Sequence, residues 1–442
     1  MHAPVHPRVT TRQMFAIAGP AMIANITTPL IGIVSTTVIG RLNDAALLGG
    51  VAMASVIFDC LFWLFAFLRI STLAFTAQSI GAGETRELSA ILMRGFIVAG
   101  LTGAALIALQ VPLAAALFSV MGGSDGVTRA AKTYFMIRIW SAPLALGNYV
   151  VLGWLVGQAR ANIALILQIA INLVNMAATV LFVLVLDAGI AGAAIAAVIA
   201  ETAGLLLGAI ACRRIAQGGF AVPRARLFDR AKLTRMLLIN RDIMMRTAAL
   251  ITVFLFFTAK GARAGDVTLA ANAVLNNFLL VSAFFLDGFA NSAQQLGGRA
   301  FGARDARGFA DSTRLVLSWG IGFALVVAAL FALAGPALID LMTASEEVRR
   351  VARDFLIFII LAPLPGAFAF GFDGIYGGAT WAREMRNLML ASLAIFLATW
   401  WALSAFGNAG LWTAMLAFYV ARGALQGARY PALFKASFGK MP

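Results

Sequence analysis

The sequence predicts an all-α integral membrane protein of twelve transmembrane helices, arranged as two parallel six-helix repeats. Three observations carry this reading. The chain of 442 residues is 61% hydrophobic and 12% charged, against roughly 45–50% and about 25% for soluble proteins, and its mean hydropathy is +0.90. Each half holds six apolar stretches suited to the ~20 residues that a helix needs to cross a bilayer. Gly40 to Glu84 reads onto Gly261 to Asp305 without a gap, at one constant offset. Ala142-Pro143-Leu144 likewise meets Ala362-Pro363-Leu364 one position short of that offset, with Gly157 on Gly377 and Ala159 on Ala379, and Ala188-Gly189 meets Ala409-Gly410 at the full offset. A repeat of this length marks an internal duplication. Intramembrane polar residues without period-two alternation exclude a barrel.

The first half is read as a lobe over 1–212. Met1 to Gln13 is polar and basic, and the apolar run after it is long enough to span, so no cleavable signal peptide is expected. Span 1 (14–39) carries Pro20 and Pro29, which remove backbone hydrogen bonds and mark it as bendable. Its Asn25, Thr28, Gly32 and Ser35 share one helical face. Span 2 (46–79) holds Asp59, Cys60 and Arg69, and Gly81 reads as its terminating glycine. Span 3 covers 91–118. Span 4 (133–157) has Arg138 at its margin and Pro143 inside. Span 5 (162–186) lines up Gln168, Asn172, Asn175 and Thr179 on one face. Span 6 (189–212) places Glu201 among Ala197, Gly204 and Gly208, where desolvation penalises its charged form and makes it a candidate proton carrier.

Residues 213–242 form a basic linker, and 243–442 repeat the lobe with spans at 243–260, 267–297, 314–341, 352–378, 387–405 and 408–430. Span 8 carries Asp287, Asn291 and Gln294 on one face, and Gly302 closes it. Span 10 contains Pro363 and Pro365, and carries Asp373, Tyr376 and Thr380 at one-face spacing. The glycines Gly371, Gly374, Gly377 and Gly378 there fit either close packing or local unwinding. In span 12, Arg422 is the repeat mate of Glu201. Strongly polar groups inside spans are functional candidates, because exposing them to lipid is costly; the alternative for the amides is helix-to-helix adhesion, and for Arg69 a structural ion pair.

Counting Lys and Arg by side puts 24 of the 34 inside and 9 outside when both termini are cytoplasmic, with Arg69 within a span. Nine of the inner ones lie in Arg213 to Arg246. Six spans per half then make the repeats parallel, related by an axis along the membrane normal. The net charge of +15 follows from this topology, so nucleic acid is not an expected partner; the linker suits an anionic lipid surface. Cys60 and Cys212 form no CxxC pair, His2 and His6 lie in the terminal tail, and no GxxxxGK[ST] or HExxH occurs. No metal, ATP or enzyme site is therefore expected.

The strings from Ala24 (ANITTPLIGIVSTTVIGRL), Phe67 (FLRISTLAFTAQSIGAG), Val151 (VLGWLVGQARA), Leu238 (LINRDIMMRT), Leu286 (LDGFA) and Asp373 (DGIYGGATWAREMRN) resemble the multidrug and toxic compound extrusion (MATE) transporters, and within them the DinF-like branch, over nearly the whole chain. The resemblance implies a V-shaped pair of six-helix lobes and export of organic cations or other amphiphiles by proton or sodium antiport. No cofactor beyond the coupling ion is implied. The expected setting is the plasma (inner) membrane, with the lipid bilayer and a small-molecule substrate as partners and a monomer as the working unit. It assigns ion or substrate roles to Glu201, Asp287 and Asp373 and the span 1 bend to Pro20. The chain departs from the family pattern at Ser35, Thr179 and Gln294, where acidic residues are usual and where none of these side chains titrates near neutral pH. That shifts coupling onto Glu201, Asp287 or Asp373. Alternatives are an organic-anion exporter or a flippase for a lipid-linked precursor, with Arg69 and Arg299 as anion-binding groups, and a transport-inactive scaffold.

Overall fold

A computed structural model describes residues 9–42, 44–216 and 220–439; His2 and His6 and the side chain of Thr28 lie outside what is described. Every regular element among the described residues is helical. The helical spans are α1 (Thr11–Gly40), α2 (Ala45–Gly81), α3 (Glu87–Ala108), α4 (Asp125–Gly157), α5 (Ala161–Val185), α6 (Gly189–Ile215), α7 (Arg224–Arg263), α8 (Asp266–Gly302), α9 (Ala306–Met342), α10 (Leu356–Gly378), α11 (Ala382–Ala402) and α12 (Gly407–Phe438). The first eleven are long and apolar enough to cross a membrane. In α12, Asn408, Tyr419, Arg422 and Gln426 dilute a helix whose 32 residues suffice in length.

The breaks within spans have local causes. α2 interrupts its ladder at Phe65 and Ala66, so Asp59 and Arg69 sit on separate segments, Ala45–Leu64 and Phe67–Gly81. Span 3 ends at Ala108 and restarts as Gln110–Met121, because Pro112 lacks the N–H that would continue the ladder. α4 passes through a 3-10 turn at Ile139–Ser141 before Pro143, and α10 resumes at Pro363; proline in a first helical turn forfeits nothing. Asp44 caps α2 and Asp305 caps α9 by accepting backbone N–H groups.

The duplication is visible in the turns. Glu84 N–H donates to Ser79 and Asp305 N–H to Ala300; Arg160 N–H donates to Leu155 and Trp381 N–H to Tyr376. Both pairs keep the offset that maps Gly40 onto Gly261, so Ala159 corresponds in conformation to Thr380, with φ of 59° and 56°, and not to Ala379. Thr380 therefore leaves the helix face of Asp373 and Tyr376. The left-handed residues after α2 and α8 are Gly83 and Arg304, whereas Gly81 is helical: an added Cβ there would lie 1.9 Å from the carbonyl of Arg299. Its role is close packing, not termination.

The chain divides into two compact units, one of Ile23–Ser79 and Glu84–Asn240, the other of Met1–Met22, Ile80–Gly83 and Arg241–Pro442. In the first, α3 lies against α4 where Gly103 meets Pro143, and α5 lies on α6. In the second, α10 lies against α8 through its glycines: a Cβ at Gly374 would be 2.3 Å from the Ala290 carbonyl, and one at Gly378 2.5 Å from that of Gln294. The α10 helix is continuous from Pro363 to Gly378, so these glycines serve close packing and not unwinding. Phe257 on Trp412 and Phe278 on Phe331, edge to face, fill the second core.

Candidate functional site

In the Ile23–Asn240 unit, two polar clusters form. Asn172, buried on α5, donates to Thr27 Oγ1 of α1 at 2.8 Å and accepts from Gln168 at 2.9 Å. The span 5 stripe thus reaches span 1 through Thr27, itself bonded to the Ala24 carbonyl. Asn25, Ser35 and Asn175 are half-buried, and Thr179 is buried.

Glu201 on α6 anchors the second cluster. Asn148 Nδ2 from α4 donates to Glu201 Oε2 at 2.7 Å and to the Glu201 carbonyl at 3.0 Å. Arg138 lies within electrostatic reach of Glu201 and of Asp59. Its guanidinium sits 4.7 Å from the Phe58 ring centre and donates to Tyr134 Oη at 3.0 Å. Glu201 is half-buried, and its neutral amide partner can stay bonded in either charge state, since an amide both donates and accepts. Arg69 joins the edge of this cluster: with Glu201, Asp59 and Arg138 it acts electrostatically on Tyr149. Its backbone carbonyl approaches Gly153, where a Cβ would fall 2.4 Å away.

The second unit gathers its charges around Asp373. Arg246 from α7 and Arg422 from α12 both donate to Asp373 Oδ2, the latter at 2.6 Å, while Gln426 donates to Oδ1 at 2.7 Å. All four side chains are buried. Tyr376, one turn on from Asp373, donates from its hydroxyl to the Gln426 carbonyl at 2.7 Å and so positions α12. Asp287 accepts from Asn291 at 3.2 Å and acts electrostatically on Arg246. Gln294 is buried against Gly377. Arg246 and Arg422 thus share Asp373 as their counter-charge, and removing one partner of such a buried pair is costly.

Sequence reasoning missed Arg246, Gln426 and Asn148. The charge count puts Arg246 on the inner linker, yet α7 is helical from Arg230 and buries it. Arg94 and Arg422, also counted as inner charges, are buried too. The signals existed: Arg246 is the repeat mate of Asn25, already on a polar stripe, and Gln426 follows Arg422 at i+4. Among the described residues no group of His, Cys, Asp and Glu is arranged to hold a metal ion.

The chain is 37% identical, over 93% of its length and 90% of the relative's, to DNA damage-inducible protein F of Escherichia coli (strain K12). Its fold matches a MOP superfamily transporter from Pyrococcus furiosus Vc1 with a TM-score of 0.88 at 16% identity, covering 96% of both chains. An outward-facing multidrug resistance MATE family transporter matches equally, with a TM-score of 0.88 at 16% identity over 97% of this chain and 96% of that one. The MatE family profile matches twice, at residues 20–181 and 243–402, once on each repeat. The chain is a multi-pass membrane protein that belongs to the MatE family of transporters.

Proposed function

We propose that the protein is a secondary exporter of small amphiphilic or cationic molecules, driven by proton or sodium antiport and working by alternating access of its two repeats. Relatives of this chain include a probable multidrug resistance protein, NorM, of Caulobacter vibrioides, 28% identical over 67% of the chain and 64% of the relative, which supports drug-like cargo. The observation that carries the coupling role is Glu201, a half-buried carboxylate inside α6 whose side-chain hydrogen bond runs to a neutral amide. Such a group exchanges a cation without breaking an ion pair, as Asp373 would have to. Glu201 takes over the task of the acidic residue that Ser35 replaces in span 1. The working unit is a monomer in the inner membrane with both termini cytoplasmic.

The test is dissipation of an imposed pH gradient on adding cationic dyes to energised proteoliposomes, with a sodium gradient and empty liposomes as controls. Dye-dependent proton efflux, abolished in Glu201→Gln, is the expected result. Silence under both gradients would sink the reading.

A further inference from the structure

The two repeats place opposite chemistry at equivalent positions. Glu201 of the first repeat corresponds to Arg422 of the second, and Asn25 to Arg246, at the same offset that relates the repeats elsewhere. The first repeat therefore offers a carboxylate and an amide where the second offers two guanidiniums. Those guanidiniums converge on one carboxylate oxygen, Asp373 Oδ2, and this leaves the cluster rich in donors and poor in acceptors. Arg246 and Arg422 are 7% and 3% exposed, and the Nε–H of each is buried without a hydrogen-bond partner among the described residues. The other oxygen of Asp373 is taken by Gln426, whose own Oε1 is likewise buried and unpartnered among them. Asp287 is a further charged group that faces Arg246; it is half-buried and engaged by Asn291. Buried polar groups of this kind are normally satisfied, and unpaired ones point to an occupant.

We infer that the Arg246–Arg422 pair is a receptor for a single oxyanion group, a carboxylate, sulfonate or phosphate, carried on an amphiphilic molecule. The planar guanidinium fork matches the paired oxygens that such groups present, and an oxyanion supplies the acceptors that Asp373 alone does not. The free Gln426 Oε1 suits a hydroxyl or amide donor on the same molecule. The amphiphilic part follows from the aromatic wall: Phe370, Phe418 and Tyr419 hold their rings 5.4–5.7 Å from the Arg422 guanidinium, next to where the apolar body would lie. The inference deepens the exporter reading, on which it rests only for calling the occupant cargo.

The experiment is calorimetric titration of the full-length protein in nanodiscs of zwitterionic lipid with three probes of one shape: naphthalene-2-sulfonate, neutral 2-naphthalenemethanol and 2-naphthylmethylammonium. The sulfonate is expected to bind at least about ten-fold tighter than the neutral probe, and Arg246→Gln to remove that preference while neutral binding persists. Arg246→Lys restores part of it, and Arg350→Gln, at an exposed arginine outside the cluster, leaves it intact. Equal binding of sulfonate and neutral probes by the wild-type protein overturns the inference without recourse to any variant, and so does a preference that survives in a folded Arg246→Gln protein. Competition then names the source. Displacement by phosphatidylglycerol added to the nanodiscs assigns the site to a lipid headgroup, displacement by inorganic phosphate to a free oxyanion, and resistance to both to an organic anion; each requires the oxyanion site. Gradient-driven flux without charge-selective binding rejects this site and leaves the exporter reading standing. Charge-selective binding without flux of any cargo does the reverse.

Discussion

A carboxylate that binds and releases a cation within one transport cycle needs a partner that tolerates both of its charge states. Asn148 is such a partner for Glu201, and an amide replacing the carboxylate can still pair with it. Glu201→Gln is therefore expected to lose gradient-driven transport while its melting temperature stays close to wild type. Asp373 is placed differently, between Arg246 and Arg422. Asp373→Asn also loses transport, but it leaves two buried cations without a shared anion, a loss of about 3–5 kcal/mol for a broken buried pair. Thermal denaturation in detergent separates the two: a destabilised Glu201→Gln beside an unaffected Asp373→Asn would reverse the roles assigned here. Both acids were legible as intramembrane charges. The partner of Glu201 was not, because a lone amide such as Asn148 in an apolar span looks the same whether it binds a carboxylate or bridges two helices.

At the scale of the element, α10 shows how small residues set a distance. Gly374 lies so close to the Ala290 carbonyl that a methyl group has no room, and the obstacle is helix backbone, which does not yield as a side chain does. Gly374→Ala is expected to destabilise by about 1–3 kcal/mol through overpacking, whereas Gly366→Ala, whose nearest neighbour is a Leu286 methyl at 3.2 Å, is tolerated. Comparable melting of the two variants would contradict the packing role. In α1, Pro20 stands two positions before Met22, the last residue that this helix contributes to the unit built mainly from the second repeat. Replacing it with alanine restores the N–H that proline lacks and stiffens the helix at that point. Pro20→Ala is expected to slow dye turnover severalfold with little change in dye binding; an unchanged turnover rate would remove Pro20 from the moving parts. Helix positions were legible because apolar runs are long. Their ends were less so: hydropathy marks where a helix enters the membrane, whereas residues such as Arg230 to Leu238 continue α7 beyond it on helix propensity, which is why Arg246 reads as a loop charge.

Over the whole molecule the duplication was legible from spacing alone, since the turns after α2 and α8 and after α4 and α10 keep their hydrogen bonds at one shared offset. The departures from symmetry were harder to read, because they arise where only one repeat has a partner in the linker. Glu87 and Arg94 correspond to Gly308 and Leu315 in the second repeat, so nothing equivalent exists there. In the first repeat Arg94, buried on α3, donates to Glu87 at 2.7 Å and to the carbonyls of Leu227 and Arg226 at 3.0 and 2.5 Å. Lys232 closes the clasp on Glu87 at 2.9 Å. These bonds fasten the linker to the end of α3, and they hold the backbone of Arg226 and Leu227 in place. Trypsin needs several residues of extended chain to cleave after Arg224, Arg226 or Arg230, so its rate there follows the population of the opened linker. Arg94→Gln removes the charge and most of the donors, leaving Glu87 with Lys232 alone. Limited proteolysis of the purified protein should then cut the linker at least about ten-fold faster, the change that about 1.4 kcal/mol of lost clasp produces, and yield two fragments of nearly equal size. A cleavage rate equal to wild type would mean that the linker is held by its short Arg224–Leu227 helix and not by the clasp.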